Sequence, residues 1–108
     1  METDKKSIAA GLIAVKIHRT DKGNVIGACD SHLLGKKISE GGLVMEISKE
    51  FYFERHATGE ELSLMLEECM TANLVGEAAI AAYCKNKPDA KGLIRKIGGV
   101  PHLQVFEL

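Results

Sequence analysis

Apolar and polar residues alternate along the chain from Leu12. Ile13, Val15 and Ile17 fall on one side and Ala14, Lys16 and His18 on the other, the period-two pattern of a half-buried strand. Asp21-Lys22-Gly23-Asn24 supplies turn chemistry, with Gly23 able to take positive φ, and residues 25–29 return as a second strand at hairpin distance. Asp30-Ser31-His32-Leu33-Leu34-Gly35 reads as one turn of helix, capped by Asp30 or Ser31 and ended by Gly35. Lys36 and Lys37 follow on an exposed loop. After Glu40-Gly41-Gly42, Leu43, Met45 and Ile47 alternate with Val44, Glu46 and Ser48, which predicts a third strand. Phe51-Tyr52-Phe53 gathers aromatic residues in a chain poor in them and is expected to plug one end of the core.

The period then changes. Thr58 and Glu61 form a capping box, and Leu62, Met65, Leu66 and Cys69 follow at helical spacing on one face. Glu60, Glu61, Glu67 and Glu68 are left to solvent or a partner. Thr71-Ala72-Asn73-Leu74-Val75-Gly76-Glu77 reads as the hinge between two helices. Asn73 is expected to cap the second helix, so that alanine there would cost about 1 kcal/mol. From Val75, residues Ala78, Ala79, Ala82 and Tyr83 repeat the helical spacing, Lys85 and Lys87 suit a helix C-terminus, and Pro88 stops it. In the tail, residues 93–97 and 100–108 flank Gly98-Gly99, a pair fit for a tight primed turn, with Pro101 on an edge or at a non-bonding position.

The resulting order is two strands, a short turn, a strand, two helices and two strands. Runs of like elements predict an α+β fold with a mixed or antiparallel sheet. That sheet is built from the N- and C-terminal hairpins plus the third strand and packs on two consecutive helices. Residues 1–11 are expected to be a frayed extension and residues 12–108 a single domain, since 108 residues suffice to bury roughly 65% of the unfolded surface.

Composition narrows the class. Hydrophobic residues make up 45% of the chain, as in a globular protein, and no apolar run approaches membrane-spanning length. The opening residues lack a signal-peptide pattern, and three cysteines without CxxC spacing imply no disulfide framework; together these predict a cytoplasmic protein. The net charge of −1 conceals a division into basic ends and an acidic middle. Residues 1–37 carry seven Lys/Arg against four acids, residues 38–77 two against nine, and residues 78–108 five against two.

Familiar chemistries are missing from the sequence. It contains no GxGxxG, Walker, HExxH or GxSxG motif, so no cofactor is expected. Cys29 and His32 have metal-ligand spacing, but no second pair complements them, and no metal site is expected. Cys29 reads as a core-facing strand residue and His32 as exposed; a Cys29 nucleophile would need His18 or His102 brought close by folding. Asn73 and Glu77, four apart, could share a site, although a cap and a first-turn acid explain them equally well. Lys16, His18 and Arg19, then Lys36 and Lys37, then Arg95 and Lys96 beside Gly98 and Gly99, would form a phosphate-facing patch if those three loci converged.

Several stretches carry a resemblance. Val15-Lys16-Ile17-His18-Arg19, Cys29-Asp30 with Leu33-Leu34-Gly35-Lys36, Ala72-Asn73-Leu74-Val75-Gly76-Glu77, and Ile97-Gly98-Gly99-Val100-Pro101-His102 with Gln104-Val105 resemble, in that order, the archaeal short-protein family labelled domain of unknown function 424. The resemblance runs from about Val15 to Leu108. It implies a cytoplasmic α+β protein without a settled activity, loosely associated with translation, and it transfers no catalytic residue. It draws attention to Asn73, Glu77, Gly98, Gly99, Pro101 and His102.

The first expectation is therefore a non-enzymatic binding module, RNA- or ribosome-linked, with Lys16, Arg19, Lys36, Lys37 and Lys96 as contacts. The alternatives are a small enzyme or ligand binder with a polar site at Cys29, Asn73, Glu77 and His102, and a protein-interaction module using the acidic first helix. Polar motif residues gathered in one cavity would favour the enzyme or ligand binder; converging basic loci would favour the RNA module.

Overall fold

The computed structural model describes residues 12–106. The expected frayed extension over residues 1–11 lies outside the described residues. The alternation at the start of the chain becomes β1 (Ile13–Thr20) and β2 (Gly23–Asp30), an antiparallel hairpin in register from Ile13 opposite Asp30 to Thr20 opposite Gly23. A 3-10 turn (Ser31–Leu33) leads through Gly35, at φ 84°, into β3 (Lys37–Glu40) and β4 (Leu43–Glu46). Then come a one-turn helix α1 (Lys49–Tyr52), β5 (Arg55–Ala57), α2 (Gly59–Leu66), β6 (Thr71–Val75) and α3 (Glu77–Cys84). A second 3-10 turn (Pro88–Leu93) precedes β7 (Arg95–Ile97) and β8 (Val100–Phe106).

The fold is α+β with a mixed six-stranded sheet of order β5-β1-β2-β6-β8-β7, and the two terminal hairpins share that sheet as expected. Within this class three details differ from the expectation. The third strand, β4, pairs with β3 in a separate two-stranded sheet. The two helices are not consecutive, because β6 lies between them. And the expected hinge at residues 71–77 is itself this strand, running parallel to β2 and antiparallel to β8 in the middle of the sheet.

Asn73 accordingly caps no helix. It sits mid-strand, between Gly27 of β2 and Gln104 of β8. The helix begins three residues later, where Gly76 turns at φ 102° and serves as N-cap without a side chain. A five-residue segment flanked by two strands gains ladder hydrogen bonds on both sides, which outweighs the local preference of Asn for a cap.

One face of the sheet is covered by α2 and α3. Ile13, Val15, Ile26, Ala28, Ala72, Leu74, Leu103 and Val105 pack there against Leu62, Leu66, Ala79, Ile80, Ala82 and Tyr83. The expected capping box of α2 is present, with Glu61 N–H donating to Thr58 Oγ1 at 3.1 Å and Thr58 N–H donating to Glu61 Oε1 at 2.8 Å. The second face carries a smaller core of Ala14, Cys29, Leu33, Ile47, Tyr52 and Val75 beneath the β3–β4 hairpin and α1. Of the aromatic triplet, Tyr52 alone is buried as a plug; Phe53 is 37% exposed.

Candidate functional site

Gly27 determines how the second face is covered. A Cβ there would lie 2.6 Å from the Phe51 carbonyl oxygen and 2.7 Å from its ring, so only glycine lets α1 rest on the sheet. Two β1 side chains hold α1 in place. Lys16 Nζ donates to the Glu50 carbonyl at 2.9 Å, and His18 Nε2 lies 2.9 Å from the Phe51 carbonyl with its ring stacked on Phe51 at 4.6 Å. A carbonyl only accepts, so His18 must carry its proton on Nε2. Lys16 and His18 thus satisfy carbonyls that a one-turn helix cannot satisfy itself.

Beyond this cover the second face is open among the described residues. In register across the strands it presents Thr71 and Asn73 from β6, His102, Gln104 and Phe106 from β8, and Arg95 from β7. A groove of about 500 Å³ lies over this region, lined by Leu43, Leu93, Arg95, Lys96, Ile97, His102, Gln104 and Phe106. Leu43, Leu93 and Phe106 are each about two-thirds exposed. Among the described residues, the lining has two fixed cations and a histidine and no carboxylate. Burial, and then the Arg95 guanidinium, hold His102 below the ordinary histidine range.

A second cavity, of about 460 Å³, opens where β2 and β6 end, lined by Asp30, His32, Leu33, Gly76, Glu77, Ala78, Gly99, Val100 and Pro101. Its buried carboxylate already has a structural task. Asp30 does not cap the 3-10 turn that follows it. Its two oxygens accept instead from Ala78 N–H at 3.1 Å and Ala79 N–H at 2.9 Å, closing the N-terminus of α3 from 48 residues away. A Cβ on Gly76 would fall on the Asp30 carboxylate, so the glycine and the aspartate belong to one device.

The expected site residues are distributed as follows. Lys16 and Arg19 belong to β1, and three strands separate β1 from Lys96 on β7, roughly 19 Å at ordinary strand spacing. Lys36 and Lys37 are exposed at the start of the β3–β4 hairpin. That hairpin reaches the terminal turn, where Gly98 N–H donates to Glu40 Oε1 at 2.7 Å. The Gly98 amide, expected to face a phosphate, therefore already holds a carboxylate. Gly98 and Gly99, at φ 57° and 81°, form the expected primed turn.

Cys29, Asn73, Glu77 and His102 do not line one cavity. Glu77 lines the second cavity and His102 the groove, while Cys29 is fully buried. Burial, and then Asp30, push the Cys29 thiol up to about 12, which removes the thiolate a nucleophile needs. Cys69 and Cys84 are buried on the helical side. Among the described residues no group of three His, Cys, Asp or Glu side chains could hold a metal ion, and no helix is long and apolar enough to cross a membrane.

Arg95 was expected as part of a phosphate-facing patch; the residues that sequence reasoning missed as contacts are Gln104 and Phe106 on the open face. Their signal was the alternation of His102, Gln104 and Phe106 along β8, opposite the buried Leu103 and Val105. The family described as Protein of unknown function (DUF424) matches residues 17–108. The chain belongs to that family. No curated protein matches it. A solved structure that it resembles is that of an uncharacterized conserved protein from Methanopyrus kandleri, 25% identical, with a TM-score of 0.76, covering 90% of this chain and 92% of that one. Of the stretches that carried the resemblance to the DUF424 family, residues 72–77 form the sheet's centre and lead into α3, and Cys29-Asp30 supplies the carboxylate that closes that helix.

Proposed function

We propose that this protein is a non-enzymatic, RNA-linked binding module of the cytoplasm that engages its partner through the open face of the sheet. The observation that carries this reading is the groove beside β7 and β8, in which Arg95 and His102 share a face with an exposed Phe106, Lys96 borders the groove at the sheet edge, and the described lining residues include no carboxylate. Cations attract the phosphate backbone, and an open sheet bearing an aromatic ring is a surface on which bases stack. The contacts differ from those expected from charge alone. Lys16 is engaged with α1, and Arg19, on the same strand, is separated from β7 by three strands, so Arg95, with Lys96 at the sheet edge beside it, carries the electrostatic role.

Fluorescence anisotropy with a labelled random-sequence RNA tests the reading at low and moderate salt. Wild-type protein is expected to bind with an affinity that falls as salt rises, by a log–log slope of about −0.7 per phosphate neutralised on a single strand. Arg95→Glu with Lys96→Glu is expected to abolish binding, and Lys16→Glu with Arg19→Glu to leave most of it. Absence of binding at tens of micromolar protein, or equal loss in both double variants, would overturn the assignment.

A further inference from the structure

We infer that the ligand of the open face is an unpaired polynucleotide strand, with one base stacked on Phe106 and its neighbour's edge met by the Asn73 and Gln104 side-chain amides. This rests on the RNA-linked reading above and narrows it from phosphate attraction to base contact.

Three observations converge. Phe106 is the most exposed aromatic residue of the described chain, at 66%, whereas Tyr52 and Tyr83 are buried and Phe51 lies under His18. Asn73 and Gln104 are direct cross-strand partners on the same face, so two amides stand side by side one pair away from Thr71 and Phe106. Each amide offers an acceptor oxygen and two N–H donors, the complement a base edge requires, without the charge that would bind phosphate indiscriminately. The cation that shares this face, Arg95, lies on the β7 side of these groups, with Lys96 beside it at the sheet edge, so a backbone held there would turn its bases toward β8.

The dimensions fit a short footprint. Phe106, Gln104 and His102 alternate along β8 about 7 Å apart, a strip of roughly 14 Å, comparable to the two or three bases that aromatic sheet faces take. A duplex keeps its bases stacked inside and would present only phosphates to this strip. Phe106, Asn73 and Gln104 would then contribute nothing, leaving two fixed cations and His102.

The discriminating experiment is anisotropy with labelled eight-nucleotide single strands, in RNA and DNA form, against a hairpin duplex of equal phosphate count, with inorganic polyphosphate as competitor. Single strands are expected to bind at least about tenfold more tightly than the duplex. Phe106→Ala is expected to weaken single-strand binding by on the order of tenfold, while Phe106→Trp retains it. Since the ring is largely exposed, the variant's circular dichroism should match wild type. Duplex binding equal to single-strand binding, unchanged affinity in Phe106→Ala, or displacement by polyphosphate as effective as by unlabelled strand would overturn the inference while sparing the broader reading. No binding to any of these probes would end both.

Discussion

The two faces of the six-stranded sheet are built from the same strands, residue by alternate residue, yet they are finished differently. The helical face is closed by α2 and α3 over a continuous apolar layer from Ile13 to Val105. Among the described residues, the second face is closed where Gly27 admits α1 and where the β3–β4 hairpin covers Cys29 and Val75. Past that cover its side chains change from aliphatic to Thr71, Asn73, His102, Gln104 and Arg95. A sheet needs one buried face to fold. The contrast teaches that this chain meets that need on the helical side and keeps half of the other side polar, available for contact at little cost in stability.

Mutations should separate the faces. The largest effect is expected from Asp30→Ala, which leaves the Ala78 and Ala79 amides without their buried acceptor; a loss of about 2–4 kcal/mol in urea unfolding is expected, with Asn at position 30 recovering part of it. Next is Gly27→Ala, which drives a methyl group into the Phe51 carbonyl and should cost about 1–3 kcal/mol in thermal melting, while α2 and α3 keep their helical signal.

Acid should then act on the two properties in opposite directions. The folded state holds His102 below its unfolded range, so the unfolded chain takes the proton first. Stability should be full above about pH 6.5 and decline as pH falls below it. Binding of an anionic strand should tighten over the same interval, because bound phosphate favours the protonated ring. His102→Gln should flatten both profiles; persistence of either would remove His102 from the comparison. The smallest stability effect is expected for Asn73→Ala, within about 0.5 kcal/mol, since Asn73 is a half-buried strand residue and not a cap. Its strand binding should nevertheless weaken. A loss near 1 kcal/mol without any change in binding would return Asn73 to a structural role.

How far the sequence could be read follows from the range of the interactions involved. The β1–β2 hairpin, the capping box at Thr58 and the Gly98-Gly99 turn are local, and each was readable from a few neighbouring residues. Thr71–Val75 was not, because five residues that mix Ala, Leu and Val with Thr and Asn between helical patterns fit either a strand or a helix start. Only its neighbours β2 and β8 decide between them. Arg55–Ala57 and Lys37–Glu40 carry too few apolar positions to show a period. Gly76, a residue common at N-caps, was the one local hint of where α3 begins. The site suffered in the same way: charge located cations but not faces, and His102, Gln104 and Phe106 gain meaning only once β8 is known to border an uncovered surface.

The closure of α3 by Asp30 has a kinetic consequence. The first turn of α2 is sealed by residues within its own segment, so it can form and re-form by itself. The first turn of α3 waits for a carboxylate that arrives only when β2 has docked alongside β6, after the intervening chain has closed a loop of more than forty residues. Such distant contacts form late and slow the folding reaction. In native-state hydrogen exchange the amides of Ala78 and Ala79 should therefore open only with the whole domain, whereas that of Glu61 should exchange through local fraying.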